Sequence, residues 1–147
     1  MQSFSTVCVD ANVVVNGVQL VGRENSLLSD LWRSFYTNRT TFLQPKLFDA
    51  EITSVFRKLV FDKDMTSVEA RKMLELVFLL PMDYCDDQAI HFEALEIADA
   101  LGVRAAYDAH YIAVARRASI PLVTSDRRLA NAALQFVEVL HIPQESV

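Results

Sequence analysis

Apolar residues follow two different spacings along the chain, and segments of the two kinds alternate. Short runs rich in β-branched residues predict strands at "STVCVDANVVV", ending near Asp10, at "TTFLQP" and at "PLVT", with further short strands at "PMDYC" and "FVEVL". Between them, apolar residues recur every three or four positions, which predicts helices over residues 25–38, 46–64, 66–80, 86–102, 107–119 and 127–135. Because parallel neighbouring strands need crossover connections, this alternation predicts a three-layer α/β domain with a mostly parallel sheet.

Residues that cap helices or stop strands set the predicted boundaries. Thr66 and Glu69 have the spacing of a capping box, Gly102 ends the helix of residues 86–102, and Pro45 stops the second strand. The remaining expected N-caps are Asn25 or Ser26 for the first helix and Asp86 or Asp87 for the fourth.

The size and composition of the chain fit one globular domain. It has 147 residues, of which 52% are hydrophobic, and no linker or repeat divides it, so we expect a single domain over residues 1–147. No apolar stretch reaches the roughly 20 residues that a membrane-spanning helix needs, and no basic segment precedes the first apolar run. We therefore expect a soluble, cytoplasmic protein whose two cysteines, Cys8 and Cys85, are reduced.

Four acidic residues stand at or near the ends of predicted elements. Asp10 ends the first strand and Asp126 follows "PLVTS", while Glu51 and Asp108 lie near helix starts on faces turned toward the sheet. Ligands of open parallel sheets bind beyond the carboxyl ends of the strands, so we expect these side chains at one mouth of the fold. Two unit charges about 4 Å apart cost about 4 kcal/mol at an effective dielectric of about 20, so such a cluster takes up protons or binds a cation.

A cluster with only oxygen ligands favours a hard cation such as Mg²⁺ or Mn²⁺. An ion of this kind activates a water against a phosphodiester and neutralises the charge that develops on phosphorus and the leaving oxygen. The four acids therefore predict metal-assisted phosphodiester hydrolysis.

Each acid also has an ordinary structural interpretation. Asp126 could be the N-cap of the next helix, Asp108 could interact with a helix dipole, and Glu51 could be a solvated helix residue. Asp10 is the hardest to explain in this way, because an acid that closes a β-branched strand has little structural purpose. Three neighbours could orient carboxylates or waters, although turn and cap roles explain them equally well: Asn12, Thr124 and Ser125.

Four segments together resemble one protein family. The segments "VCVDANVVV", "PKLFDAEITSVFRKL", "YDAHYIAVARR" and "PLVTSDRRL" are similar to the PIN domain, and specifically to the VapC-type toxin ribonucleases of toxin–antitoxin pairs. The resemblance covers nearly the whole chain. It implies a five-stranded parallel sheet in the order 3-2-1-4-5, bound Mg²⁺ or Mn²⁺, cleavage of single-stranded or looped RNA, homodimers and, in many members, a cognate antitoxin.

By position, the acids of the family fall on Asp10, Glu51, Asp108 and Asp126. We expect Asp10, Asp108 and Asp126 to hold one ion directly or through waters, and Glu51 to position a water or help recruit a second ion. Asn12 stands where the family often has a small hydroxyl residue, a departure that concerns the surroundings of the site rather than the site itself.

The charge of the chain limits how RNA could be bound. The formal net charge is −5, which argues against a broad basic surface, so RNA contacts must come from local groups. Lys46, Arg127 and Arg128 are the candidates, and ordinary surface solvation explains each of them equally well.

Other functions fit the sequence less well. Three glycines, Gly17, Gly22 and Gly102, cannot form a dinucleotide fingerprint or a phosphate-binding loop, so no nucleotide cofactor is expected. His110, two residues after Asp108, points to a different helical face and is expected to be structural or exposed. A receiver-like signalling module would need a lysine beside a proline after its last strand, where "VLHIPQ" has none. A PIN fold kept only for binding is the second alternative.

The helices over residues 66–80 and 86–101 have more apolar residues than one side of a small sheet needs. We therefore expect them to protrude as a pair and to form a homodimer interface.

Overall fold

Five strands and seven helices alternate in the computed structural model, which describes residues 3–20 and 27–143. The strands are β1 (Thr6–Val9), β2 (Thr41–Pro45), β3 (Met82–Cys85), β4 (Leu122–Thr124) and β5 (Val139–His141). The helices are α1 (Ala11–Gln19), α2 (Leu27–Thr37), α3 (Phe48–Phe61), α4 (Ser67–Phe78), α5 (Ala89–Leu101), α6 (Tyr107–Ala118) and α7 (Arg127–Ala133).

The strands form one parallel sheet in the order β3-β2-β1-β4-β5, which confirms the order implied by the family resemblance. The order reverses between β1 and β4, so the carboxyl ends of these two strands form the crevice in which open α/β sheets bind ligands. A receiver-like sheet has the order 2-1-3-4-5 instead, so the receiver-like alternative is wrong.

Helices cover both faces of the sheet. With right-handed crossovers, α1 to α4 lie on one face and α5 to α7 on the other. The central strand is therefore buried on both sides, and Val7, Cys8 and Val9 have no exposed surface. On the second face α6 packs on β1 and β2, and on the first face α1 packs on α3 and α4.

The helices of residues 66–80 and 86–101 do not form the predicted protruding pair. α4 packs against α1 and α3, whereas α5 packs against α6. Because β3 separates the two helices along the chain, the crossovers carry them to opposite faces of the sheet. Both nevertheless present exposed apolar side chains, namely Val68, Phe78 and Leu79 at α4 and Phe92 and Leu95 on α5.

The first strand ends near Asp10, as predicted, but the residues after it form a helix that the sequence analysis did not predict. The three valines of residues 13–15 favour strands, yet they are buried in α1. Tertiary packing outweighs intrinsic propensity here. Gly17 of α1 lies against the indole of Trp32 on α2, and a Cβ at this position would lie 2.0 Å from Trp32 Nε1, so the close contact requires glycine.

Helix ends agree with the predicted capping residues at α4 and at the end of α5, but the N-cap of α5 is Gln88 rather than Asp86 or Asp87. Thr66 Oγ1 accepts from the Glu69 N–H at 3.1 Å and the Glu69 carboxylate accepts from the Thr66 N–H at 3.3 Å, which confirms the capping box. Asp87 Oδ1 accepts from a first-turn N–H of α5 at 3.1 Å, and Gly102 ends that helix with a φ of 65°. The predicted caps of α2 lie outside the described residues: Asn25 and Ser26.

Both cysteines are free thiols, with Cys8 buried and Cys85 partly exposed. Among residues 3–20 and 27–143, no helix has the length and apolar character needed to span a membrane.

Candidate functional site

Strand ends and helix starts bring the four predicted acids toward one edge of the sheet. Asp10 directly follows β1, and Asp126 comes just after β4 at the start of α7. Glu51 and Asp108 lie in the first turns of α3 and α6. Asp10 is buried, Glu51 and Asp126 are half-buried, and Asp108 is exposed. The acids thus line a mouth whose deepest member is Asp10 and whose rim includes Asp108.

Thr124 links the two acids that follow the strands. Its hydroxyl donates to Asp10 Oδ2 at 3.0 Å and accepts from the Asp126 N–H at 3.0 Å. The Asp10 N–H donates to the Val123 carbonyl at 2.9 Å, which extends the β1–β4 pairing up to the acid. Because Thr124 has no exposed surface, these bonds fix Asp10 relative to the start of α7. Of the roles left open for Thr124, the structure shows a direct contact with a carboxylate.

Burial and like charges raise the pKa of the Asp10 carboxyl. Loss of hydration is the main cause of the rise from 3.8 to about 6; the Thr124 bond opposes it, and the charges of Asp108 and Asp126 add to it. The pKa of Asp108 is also raised. The main cause is the partial loss of hydration of its carboxyl group, and the charge of Asp126 adds to the rise, while the charge of Arg128 opposes it. Three of the four acids therefore interact electrostatically.

Glu51 joins the same group through Tyr111. The Tyr111 hydroxyl donates to Glu51 Oε2 at 3.2 Å, and the tyrosine has no exposed surface. Burial raises the pKa of Glu51 from 4.5 to about 7; the Tyr111 bond opposes this rise, and the charges of Asp10 and Asp108 add to it. Burial and the neighbouring Glu51 charge raise the pKa of Tyr111, which keeps it a neutral donor. In the sequence, Tyr111 is conspicuous only as part of a buried helix face.

Gln44 at the end of β2 is a further buried polar residue that sequence reasoning missed. Its side-chain Oε1 accepts from the Val9 N–H at 2.8 Å, and its Nε2 donates to the Val9 carbonyl at 2.7 Å. Gln44 therefore holds the residue directly before Asp10. The available signal was a polar residue at the end of an apolar strand, immediately before Pro45.

Asp126 has the capping role that the sequence analysis left open. Its Oδ1 accepts from the N–H groups of Arg128 at 2.9 Å and Leu129 at 3.2 Å, so it is the N-cap of α7. Both bonds end on Oδ1, so Oδ2 takes no part in capping the helix.

The acids fit a hydrated cation better than a fully protein-bound one. Within the part of the chain that the structure describes, no three His, Cys, Asp or Glu side chains are grouped closely enough to form a ready set of metal ligands. The buried Asp10 carboxylate and its coupling to two further acids nevertheless fit a positive charge. Mg²⁺ keeps several waters and uses only one or two protein carboxylates directly, so an all-oxygen mouth of this kind suits it.

Three of the other predicted site residues, Asn12, Ser125 and Arg127, line a cleft beside Asp126. A cleft of about 420 Å³ beside Asp126 is lined by Asn12, Ser125, Asp126, Arg127, His141 and Pro143. Lys46 pairs instead with Asp86 at 3.1 Å, with both side chains exposed. His110 contacts the Ala106 carbonyl at 2.6 Å and His91 at 2.9 Å rather than the acids, in agreement with a structural role.

The sequence model of the PIN domain family matches residues 7–134, most of the chain. This chain belongs to the PIN domain family. Among curated relatives, it is similar to Ribonuclease VapC1 of Mycobacterium tuberculosis, with 29% identity over 125 residues that cover 84% of this chain and 88% of that protein.

Solved structures share the same PIN fold. VapBC2 from Rickettsia felis, bound to a DNA fragment from its promoter, has a TM-score of 0.66 at 13% identity, covering 92% of this chain and 98% of that one. PAE2754 from Pyrobaculum aerophilum has a TM-score of 0.66 at 20% identity, covering 93% and 92%. At these identities the likeness concerns the fold alone, and it agrees with the observed sheet order.

Proposed function

We propose that this PIN domain is a metal-dependent endoribonuclease that hydrolyses RNA phosphodiester bonds and acts as the toxin of a toxin–antitoxin pair. The observation that carries the proposal is the buried carboxylate of Asp10, whose pKa is raised to about 6 by lost hydration and by the charges of Asp108 and Asp126. Like charges around a buried carboxylate destabilise the fold, and a bound cation would remove that repulsion. The similarity to a protein named Ribonuclease VapC1 supports RNA as the substrate.

Asp10, Asp108 and Asp126 would hold Mg²⁺ or Mn²⁺ directly or through waters. When bound, the ion would polarise the phosphodiester and lower the pKa of a water. Asp126 would contribute Oδ2, because Oδ1 caps α7. Thr124 would keep the Asp10 carboxylate oriented by donating to its Oδ2.

Glu51 would position the attacking water or help recruit a second ion when RNA brings its phosphate. Tyr111 fixes Oε2 of Glu51, so Oε1 is the oxygen that would accept a hydrogen bond from the water. A pKa of about 7 allows Glu51 to exchange a proton near neutral pH, as a general base must.

The cleft beside Asp126 would accommodate a nucleotide next to the scissile phosphate. Its volume of about 420 Å³ lies in the range of small-ligand sites, roughly 300–1,000 Å³. Arg127 supplies a positive charge, and Asn12 and Ser125 supply hydrogen-bonding groups. We propose that Arg127 and Arg128 contact the RNA backbone. Lys46 is the weakest of the three candidates, because Asp86 already neutralises it.

Exposed apolar surface supports partner binding. Phe92 and Leu95, three residues apart on one face of α5, are 68% and 64% exposed. Val68 and Leu79 at α4 are 65% and 80% exposed. Exposed apolar patches mark interaction sites, so we propose that the protein forms a homodimer and binds a cognate antitoxin. We also propose a cytoplasmic location. Light scattering that finds a concentration-independent monomer would contradict the homodimer.

Cleavage of single-stranded and stem-loop RNA by the purified protein tests the proposed activity. We expect cleavage with Mn²⁺ or Mg²⁺ and none in EDTA. Asp10→Asn should lower the rate about 100-fold or more, since even residues that only orient metal ligands cost 10–100-fold. Asp64→Asn, which alters an exposed acid after α3, should leave the rate unchanged.

Three outcomes would count against parts of this proposal. Cleavage in EDTA would contradict metal dependence, and equal cleavage by wild type and Asp10→Asn would contradict the assigned site. RNA binding without cleavage under either metal would favour a PIN fold kept for binding.

A further inference from the structure

The backbone ladder between β1 and β2 stops before the strands do. Main-chain pairing of the two strands extends only to Val7 and Phe42, although β2 continues to Pro45 and remains paired with β3 there. The strands therefore diverge at their carboxyl ends, next to the acidic mouth.

A proline removes one of the two main-chain hydrogen bonds that would continue the ladder at Val9. The Thr41 N–H donates to the Ser5 carbonyl at 2.9 Å, and a parallel ladder repeats this bond every two residues. The Val9 carbonyl would therefore pair with the N–H of residue 45. Residue 45 is Pro45, which has no N–H.

The side-chain amide of Gln44 supplies the missing partners. It donates to the Val9 carbonyl at 2.7 Å and accepts from the Val9 N–H at 2.8 Å, and it has no exposed surface. An amide side chain offers the same donor and acceptor as a peptide group, but it reaches Val9 from the end of its own stem. It therefore satisfies Val9 while the two strands stay further apart than a main-chain ladder would hold them.

The gap between the carboxyl ends of β1 and β2 separates two parts of the proposed site. Asp10 directly follows Val9 on β1, whereas Glu51 lies in the helix that follows β2. The bond from Tyr111 to Glu51 joins α6 and α3, which lie on opposite faces, so it passes the carboxyl edge of the sheet. Any closing of the gap would shift Asp10 relative to this pair.

We infer that Gln44 is a positioning residue that holds the ends of β1 and β2 apart and so sets the spacing between Asp10 and Glu51. This inference rests on the proposed function of those two acids. A purely structural role for Gln44 makes a different prediction, namely that activity follows stability in every variant at this position.

Two variants separate spacing from hydrogen bonding. Gln44→Ala combined with Pro45→Ala restores an N–H at residue 45, so the main-chain ladder can close and satisfy Val9 while the gap narrows. Gln44→Leu keeps the bulk of the side chain between the strands but leaves both Val9 groups unpaired. Gln44→Ala and Pro45→Ala alone complete the set, and Gln88→Ala, at an exposed residue before α5, is the control.

Each variant is measured by its Tm, by kcat and KM for RNA cleavage, and by its Kd for Mn²⁺ from calorimetry without RNA. Gln44→Ala should lower the Tm by about 5–15 °C, because two buried backbone groups lose their partners. The double variant should regain at least half of that loss, yet its kcat should stay at least about ten-fold below wild type with little change in KM. The double variant should also bind Mn²⁺ more weakly, with a higher Kd. Compared with the double variant, Gln44→Leu should have a lower Tm but a higher kcat.

Recovery of kcat together with Tm in the double variant would overturn the inference, as would a kcat that follows Tm across the whole set. If the wild type does not cut RNA, the ribonuclease proposal fails, and the Kd for Mn²⁺ then decides the inference alone. Weaker Mn²⁺ binding by the double variant at a recovered Tm would support it, and an unchanged Kd would overturn it.

Discussion

Replacing Asp10 by asparagine should stabilise the metal-free protein at neutral pH. The side chain is 6% exposed, and lost hydration raises its pKa, with further contributions from Asp108 and Asp126. Asparagine has nearly the same shape, and its Oδ1 can still accept the hydrogen bond from Thr124. The substitution therefore removes a buried charge with little change in packing.

The size of the effect follows from the pKa shift. A raised pKa in the folded state means that the ionised carboxyl destabilises the fold, an effect absent below the unfolded-state value of 3.8 and complete above about 6. Each pKa unit corresponds to about 1.4 kcal/mol, so the rise from 3.8 to about 6 corresponds to about 3 kcal/mol at pH 7.5 and about 1 kcal/mol at pH 4.5.

Urea unfolding in EDTA at these two pH values measures the effect. Asp10→Asn should exceed wild type in free energy of unfolding by about 3 kcal/mol at pH 7.5 and by about 1 kcal/mol at pH 4.5. The control Asp64→Asn should stay within about 0.5 kcal/mol of wild type. Saturating Mn²⁺ should stabilise wild type more than Asp10→Asn, because the variant lacks a ligand. The reasoning would be refuted if Asp10→Asn were no more stable than wild type at pH 7.5. It would also be refuted if the difference in free energy of unfolding were the same at both pH values.

Three further substitutions test individual contacts. Tyr111→Phe removes a bond that lowers the pKa of Glu51, so the acidic limb of the kcat/KM profile should move to higher pH; an unmoved limb would exclude Glu51 as the titrating group. Thr124→Val removes the hydroxyl donor of Asp10 and should lower kcat about 10–100-fold, and full activity would show that this bond does not orient the carboxylate. Thr66→Ala should reduce the free energy of unfolding by about 1 kcal/mol in urea with kcat unchanged, since the capping box of α4 lies outside the site.

Sequence patterns predict most elements of this fold because hydrophobic spacing reports burial directly. They fail where two local preferences disagree. The valines of residues 13–15 favour a strand, yet they are buried in α1, which packs against α3 and α4. The amphipathic patterns of α4 and α5 likewise show that each helix buries a face. They do not show which element each buried face contacts, which is why the predicted helix pair is wrong.

The site is predictable to the extent that its residues are unusual in their places. An acid after a β-branched strand, like Asp10, is conspicuous in the sequence, and Asp126 follows the other strand at the crevice. Gln44 and Tyr111 are not conspicuous, because a polar group at a strand end or on a buried helix face has many possible partners. Their roles depend on contacts between residues far apart in sequence, namely 35 residues for Gln44 with Val9 and 60 for Tyr111 with Glu51.

The central position of β1 has a consequence for timing. Asp10 receives its hydrogen bond from Thr124, 114 residues later in the chain. A ribosome adds about 5–20 residues per second, so a nascent chain would wait roughly 6–23 s after making Asp10 before that partner is synthesised. Until β4 emerges, the central strand lacks its neighbour on one side, and Asp126 does not yet exist. The cluster of Asp10, Asp108 and Asp126 is therefore incomplete until β4 and the start of α7 have been synthesised.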